Sequence, residues 1–217
     1  MNKTALLIGA TGLVGGCVLD QLLQDNDYSN VIVLTRKTLN KNHPKLKEVL
    51  VNFDQVENYV NDIKADVVFC CLGTTIKTAG SQDAFKKVDY EYPLRVAEIA
   101  KKNGTKKYLL ISALGASKSS IVFYNRVKAE VEDAIGKLNF ESFHILQPSL
   151  ILGDRRETRF GEGIAQAAAP VFDALMMGPL NKYKSIRAEQ IAKAMIYYST
   201  LGDQGIFRHE SNELQKV

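Results

Sequence analysis

Thr4-Ala5-Leu6-Leu7-Ile8 runs straight into Gly9-Ala10-Thr11-Gly12-Leu13-Val14-Gly15, and this junction decides the fold. The first five residues are an apolar run of strand length. Leu13, Val14, Cys17, Val18 and Leu22 then recur at helical spacing. A strand, a glycine turn and a helix in that order build a cradle for a phosphate group. Gly9 permits the tight turn, and Gly12 lets the backbone approach a pyrophosphate. Gly15 lets the helix pack close to the strand. The helix N-terminus offers free N–H groups and the positive end of its dipole to the anion.

The spacing is G-x-x-G-x-x-G, one residue wider than the G-x-G-x-x-G of the dinucleotide fingerprint. It is not a P-loop either, because Gly15-Gly16-Cys17 stands where Gly-Lys-Ser/Thr would be needed.

Around this junction the chain has an ordinary globular make-up. Its 217 residues are 46% hydrophobic and 24% charged, with a net charge of +4. They read as one domain over residues 1–217 that can bury a full core. Lysines are spread out rather than blocked, so nothing calls for a nucleic-acid partner. No apolar run reaches the ~18 residues of a membrane span. Met1-Asn2-Lys3 leads directly into the first strand, which leaves no room for a signal peptide. Cys17, Cys70 and Cys71 lack metal-site spacing and read as core residues of a cytoplasmic protein.

Strand-like runs fall at 4–8, 31–35, 48–52, 66–72, 107–112 and 142–147, with a last strand near 204–208. Helical patterns fall near 12–25, 55–63, 82–102, 118–138, 163–176 and 188–199, and Pro93 marks a kink or restart in the third. This alternation predicts an α/β fold: a doubly wound parallel sheet with helices on both faces. Residues 148–187 break the rhythm with prolines, glycines and the basic Arg155, Arg156 and Arg159. That segment leaves the carboxyl end of a strand, where ligands sit in such sheets, and reads as a small substrate-covering lid.

The second strand ends in Leu34-Thr35-Arg36-Lys37. An acidic residue here would hold a ribose hydroxyl and repel a 2′-phosphate, whereas arginine pairs with the phosphate. Arg36, helped by Lys37 or Thr35, therefore points to NADP(H). Asp54, after the third strand, either accepts a hydrogen bond from an adenine amino group or caps the next helix. Gly73, after the fourth, either lets the chain pass close to a cofactor ribose or simply makes a turn.

Tyr124 and Lys128 stand four residues apart, on one helix face. The lysine charge favours the tyrosinate and its ammonium can hold a ribose, so the tyrosine can exchange a proton with a substrate oxygen. Ser112 ends the preceding strand, where its hydroxyl would meet and polarise the same carbonyl. Ser119 and Ser120 are competing hydroxyls that look like start-of-helix residues.

Glycine loop, Gly73, Ser112 and Tyr124-x-x-x-Lys128, in that order, resemble the extended or atypical branch of the short-chain dehydrogenase/reductase superfamily. More narrowly, Phe69–Thr75 (FCCLGTT), Lys87–Tyr90 (KVDY), Gly115–Ser120 (GASKSS), Tyr124-x-x-Val-Lys128 and Leu152–Arg159 (LGDRRETR) resemble the Tat-interacting oxidoreductase family over nearly the whole chain. The resemblance implies a Rossmann fold that binds NADPH. It places Gly9, Thr11, Gly12, Leu13, Val14 and Arg36 on the cofactor, and Leu72, Gly73 and Thr74 near its ribose. It makes Ser112, Tyr124 and Lys128 the catalytic set and lines the nicotinamide side with Gln147, Pro148, Ser149 and Leu150. Asp89 departs from the asparagine common in extended members, Ala113 replaces a second serine, and the carboxyl-terminal part is short.

The expected function is an NADP(H)-dependent oxidoreductase acting on a small carbonyl or alcohol, with Arg155 or Arg159 pairing an anionic substrate group. One alternative is a cofactor-binding sensor that acts through a protein partner. Another is an epimerase-like enzyme, for which the carboxyl-terminal part looks cramped. Both a monomer and a homodimer are compatible with the helices at 82–102 and 118–138.

Overall fold

The computed structural model describes residues 2–153 and 178–217. The helix expected over 163–176 and the arginines at 155, 156 and 159 lie outside the described residues. One seven-stranded, all-parallel sheet has the order β3-β2-β1-β4-β5-β6-β9. Its strands are β1 (Lys3–Ile8), β2 (Tyr28–Thr35), β3 (Leu46–Leu50), β4 (Val67–Cys70), β5 (Lys107–Ile111), β6 (Ser142–Gln147) and β9 (Gly205–Glu210). The order turns back at β1, so the crevice between the carboxyl ends of β1 and β4 is the switch point where such sheets take ligands.

Alternation along β1 sets the two cores. Ala5 and Leu7 face one layer, with helices α1 (Leu13–Gln24) and α6 (Ala188–Thr200) packed upon it. Leu6 and Ile8 face the other, which α4 (Tyr92–Lys102) and α5 (Phe123–Gly136) cover. Cys70 belongs to this second core while Cys71, just past β4, packs against the first, as the opposite-face reading required. The apolar residues of α4 and α5 are thus turned to the sheet.

Several expected boundaries move. The third strand is Leu46–Leu50, not 48–52, because Asn52 has already left to cap a 3-10 helix at Phe53–Tyr59. The side chain of Asn52 accepts from Asp54 N–H at 3.0 Å, so Asp54 is not the cap. The helical stretch 82–102 divides into α3 (Gln82–Lys86), a π turn (Lys87–Glu91) and α4. Pro93 supplies the reason. It has no N–H for the carbonyl of Asp89 four residues back, and its ring needs room there, so the turn widens. A short α2 (Ile76–Ala79) precedes α3, and α7 (Ser211–Leu214) follows β9. The segment expected as a lid is tied at its base by a parallel two-stranded ladder, in which β7 (Ile151–Leu152) pairs with β8 (Ile186–Arg187). Among the described residues no helix is long and apolar enough to cross a membrane.

Candidate active site

The turn after β1 is shaped by backbone meeting backbone. Gly9 has φ +86°, and a side chain there would sit 2.5 Å from the carbonyl of Cys71. A side chain at Gly15 would come within 2.1 Å of the Gly9 carbonyl oxygen, so the first turn of α1 can approach β1 only with glycine there. Gly12 N–H donates to Gly9 O at 3.0 Å and closes the turn. Gly12 is also the N-cap of α1, with no side chain folded over the helix end and no acidic residue in the first turn. The positive end of the helix therefore opens into the cleft.

That cleft measures about 1520 Å³ and runs along the carboxyl ends of the strands. It exceeds the roughly 300–1,000 Å³ of an ordinary small-molecule pocket and has room for an extended ligand. Thr11, Gly12, Leu13, Val14, Arg36, Lys37, Leu72, Gly73, Thr74, Ser112, Tyr124, Lys128, Pro148 and Leu150 all line it. Gly9 lies beneath the wall rather than on it. Asp54 stands apart from the wall: Lys87 pairs with its carboxylate at 2.7 Å and the Tyr92 hydroxyl donates to it at 2.7 Å. These partners, Lys87 first, hold its carboxyl below the usual range.

At the β2 end, Thr35 Oγ1 donates to Lys37 O at 2.7 Å and folds the chain into a tight turn. Arg36 projects from this turn, exposed at the rim. Lys41 also lines the rim but is paired with Asp20 of α1. The donor set suits a dinucleotide: open helix N–H groups for a pyrophosphate at the switch point, and beyond β2 an arginine with no ion pair among the described residues, free for a further anionic group.

At the other end, α5 brings Tyr124 and Lys128 to the cleft wall. The Tyr124 ring packs against Phe85 at 5.5 Å, and Lys128 Nζ lies 5.9 Å from the Tyr124 ring centroid. Lys128 is almost fully buried and faces Asp89 Oδ1 at 2.8 Å, with side-chain exposures of 4% and 0%. The second oxygen of Asp89 accepts from Thr74 N–H at 2.8 Å. The π turn has thus delivered a carboxylate that joins the loop after β4 to the reacting face of α5. Burial opposes the Lys128 charge, but Asp89 and Tyr124 outweigh it and hold the ammonium above its ordinary range. Ser119 and Ser120 stay outside the cleft, and Val122, not a serine, is the N-cap of α5.

Sequence reasoning missed the carboxylate next along α5. Glu132 is 4% exposed. It accepts from the Ser112 hydroxyl and, at 2.8 Å, from Gln147 Nε2, while Arg208 Nε lies 3.3 Å from its other oxygen. Gln147, expected on the nicotinamide side, turns its amide into this network instead. The signal was present: Tyr124, Lys128 and Glu132 repeat at four-residue intervals on one face.

Comparison with known proteins identifies a family and a shared fold. Residues 5–121 match the family described as NAD dependent epimerase/dehydratase. Protein HTATIP2 of Rattus norvegicus is 37% identical over 169 residues, covering 76% of this chain and 69% of the rat protein. Protein FMP52, mitochondrial, of Candida albicans is 32% identical over 208 residues, covering 93% and 90%. Among solved structures, UDP-glucose 4-epimerase of Thermotoga maritima with UDP-glucose has a TM-score of 0.70 at 18% identity, over 98% of this chain and 80% of that one. MoeE5 in complex with UDP-glucose and NAD has a TM-score of 0.72 at 14% identity, over 97% and 79%.

Proposed function

The chain belongs to the NAD-dependent epimerase/dehydratase family of extended short-chain dehydrogenases/reductases, and from that premise we propose that it is an NADP(H)-dependent oxidoreductase acting on a small carbonyl or alcohol. The observation that carries the reading is that Tyr124 and buried Lys128 share one cleft with an uncapped helix end and Arg36. The cradle at Gly12, Leu13 and Val14 would hold the pyrophosphate, and Arg36 with Lys37 the 2′-phosphate. Leu72, Gly73 and Thr74 would run beside the ribose, and Lys128 would hold its hydroxyls. Pro148 and Leu150 would back the nicotinamide.

When bound, the nicotinamide cofactor supplies or accepts a hydride at the substrate carbon. Tyr124 handles the proton. In reduction its O–H hydrogen passes to the substrate oxygen, and in oxidation the alcohol hydrogen returns to the tyrosine oxygen. Lys128, locked by Asp89, keeps a positive charge beside the tyrosine throughout. The fungal relatives carry "mitochondrial" in their names, so the strictly cytoplasmic address expected from the sequence does not extend across the family.

Two measurements test the reading. Titration of wild type and Arg36→Ala with NADPH and NADH should show an NADPH preference of at least about tenfold that Arg36→Ala abolishes. Equal wild-type affinities would overturn the NADP(H) assignment. Against a panel of aldehydes and ketones, Tyr124→Phe should abolish NADPH consumption while leaving NADPH binding intact. Tight NADPH binding with no turnover by wild type would instead favour a cofactor sensor.

A further inference from the structure

The cleft wall around Tyr124 is built from three short pieces: residues 113–115 after β5, the first turn of α5 and residues 148–151 after β6. Ala113, Leu114, Pro148, Leu150 and Ile151 make most of it apolar. The pieces are pinned to one another. Leu114 N–H donates to Pro148 O at 2.9 Å, and Ser117 N–H donates to Asn125 O at 3.2 Å. A wall held by backbone hydrogen bonds presents its side chains from fixed positions.

Two polar groups near this wall are engaged elsewhere. The Ser149 hydroxyl donates to Lys184 O, and Lys182 pairs with Glu210 at 3.2 Å. Asn125 differs. It follows Tyr124 on α5 and lines the same cleft, half-buried, and its side chain makes no hydrogen bond among the described residues. Gly115, in the left-handed region at φ +83°, clears the space next to it: a side chain there would begin 3.4 Å from Asn125 Nδ2. Consecutive helical residues point about 100° apart, so the amide flanks the tyrosine rather than covering it. Its NH2 group has two hydrogens to give. A neutral carbonyl oxygen accepts them without carrying a charge into apolar surroundings. Because the two side chains diverge, two oxygens that meet Tyr124 and Asn125 are spaced by an intervening carbon.

We propose that Asn125 determines substrate specificity by donating to a second, unreacting carbonyl oxygen, and that the substrate is a neutral dicarbonyl compound of the β-keto ester type with an otherwise apolar body. The proposal rests on the oxidoreductase reading, in which Tyr124 serves the first oxygen.

Ethyl acetoacetate and 2-heptanone test it, because their chains are equally long and differ in the ester group. Wild type should favour the keto ester in kcat/KM by at least about tenfold. Part of that ratio is the keto ester's own reactivity, so the variants decide. Asn125→Leu keeps the bulk and removes the donor, and should cut the ratio at least about fivefold through KM for the keto ester. Asn125→Asp, ionised, has no hydrogen to give and should cut it as far, whereas Asn125→Gln should retain part of it. Aspartate is nearest to asparagine in shape, so a role in packing alone would spare it. A ratio that survives in Asn125→Leu overturns the proposal. Calorimetry of ethyl acetoacetate with the full chain and NADP+ gives a readout free of turnover. Wild type should bind, and Asn125→Leu should bind at least about fivefold more weakly; no binding by wild type, or equal binding by the variant, overturns the proposal. If wild type reduces neither compound yet binds the keto ester through Asn125, the oxidoreductase reading fails and the recognition stands. If it reduces both with a ratio that Asn125→Leu leaves unchanged, the reading stands and the proposal fails.

Discussion

Two residues show how differently a carboxylate behaves on either side of the second core. Asp89 is sealed against Lys128 with both side chains almost fully buried, whereas Asp54 meets Lys87 in the open, at exposures of 47% and 44%. Removing one partner of a buried pair strands the other charge and costs about 3–5 kcal/mol. Asp89→Asn should therefore lower the urea midpoint sharply, and Asp54→Asn should leave it unchanged, because solvent already screens that pair. Gly15 tests the other side of the sheet. Alanine there would drive a methyl group into the Gly9 carbonyl, at a cost of about 1–3 kcal/mol from overpacking. The same variant should lose NADPH binding by calorimetry, since relief of the clash tilts α1 away from the turn it caps.

At the scale of elements, the outer edge of the sheet carries its own chemistry. His144 of β6 and His209 of β9 share a hydrogen bond at 3.0 Å, and their rings stack with Tyr198 of α6. Asp203 lies 3.3 Å from His144, and Glu213 of α7 lies 3.4 Å from His209. Burial is the dominant influence and lowers both histidines, His144 to about 4, although the two carboxylates pull the other way. The sign follows from proton counting. As pH falls below about 6.5 the unfolded chain takes up protons that the folded pair refuses, so stability present above that value is lost on the way to pH 4. Urea midpoints between pH 7 and 4 should decline in wild type and decline less in His144→Gln. This edge was only half legible in the sequence. Residues 204–208 suggested a strand, but nothing local revealed that His209 would lie beside His144, because cross-strand pairing joins residues 65 apart.

Across the whole molecule, the glycine junction and the strand–helix alternation carried the architecture, because a parallel sheet covered on both faces writes itself as apolar runs spaced by helices. Most cleft residues were legible for the same reason: they sit at the carboxyl ends of strands that periodicity locates. Asp89 and Glu132 were harder. Asp89 reaches Lys128 through a π turn that Pro93 imposes, and Glu132 has meaning only where Ser112, Gln147 and Arg208 come together from β5, β6 and β9. A ligand that binds this assembled cleft and not the unfolded chain stabilises it by mass action, by about 2.7 kcal/mol at a hundred times its dissociation constant. NADPH should therefore raise the melting temperature more than NADH at equal concentration, and Arg36→Ala should remove the difference.

The small β7–β8 ladder makes residues 153–185 a cassette with a minimum length. Its two anchor strands run in the same direction. Parallel neighbours need a crossover of about a dozen residues or more. Cassettes exchanged between relatives should be accepted above that length with the main sheet undisturbed. Trimming below it should pull β7 from β8 and carry Leu150 away from the cleft.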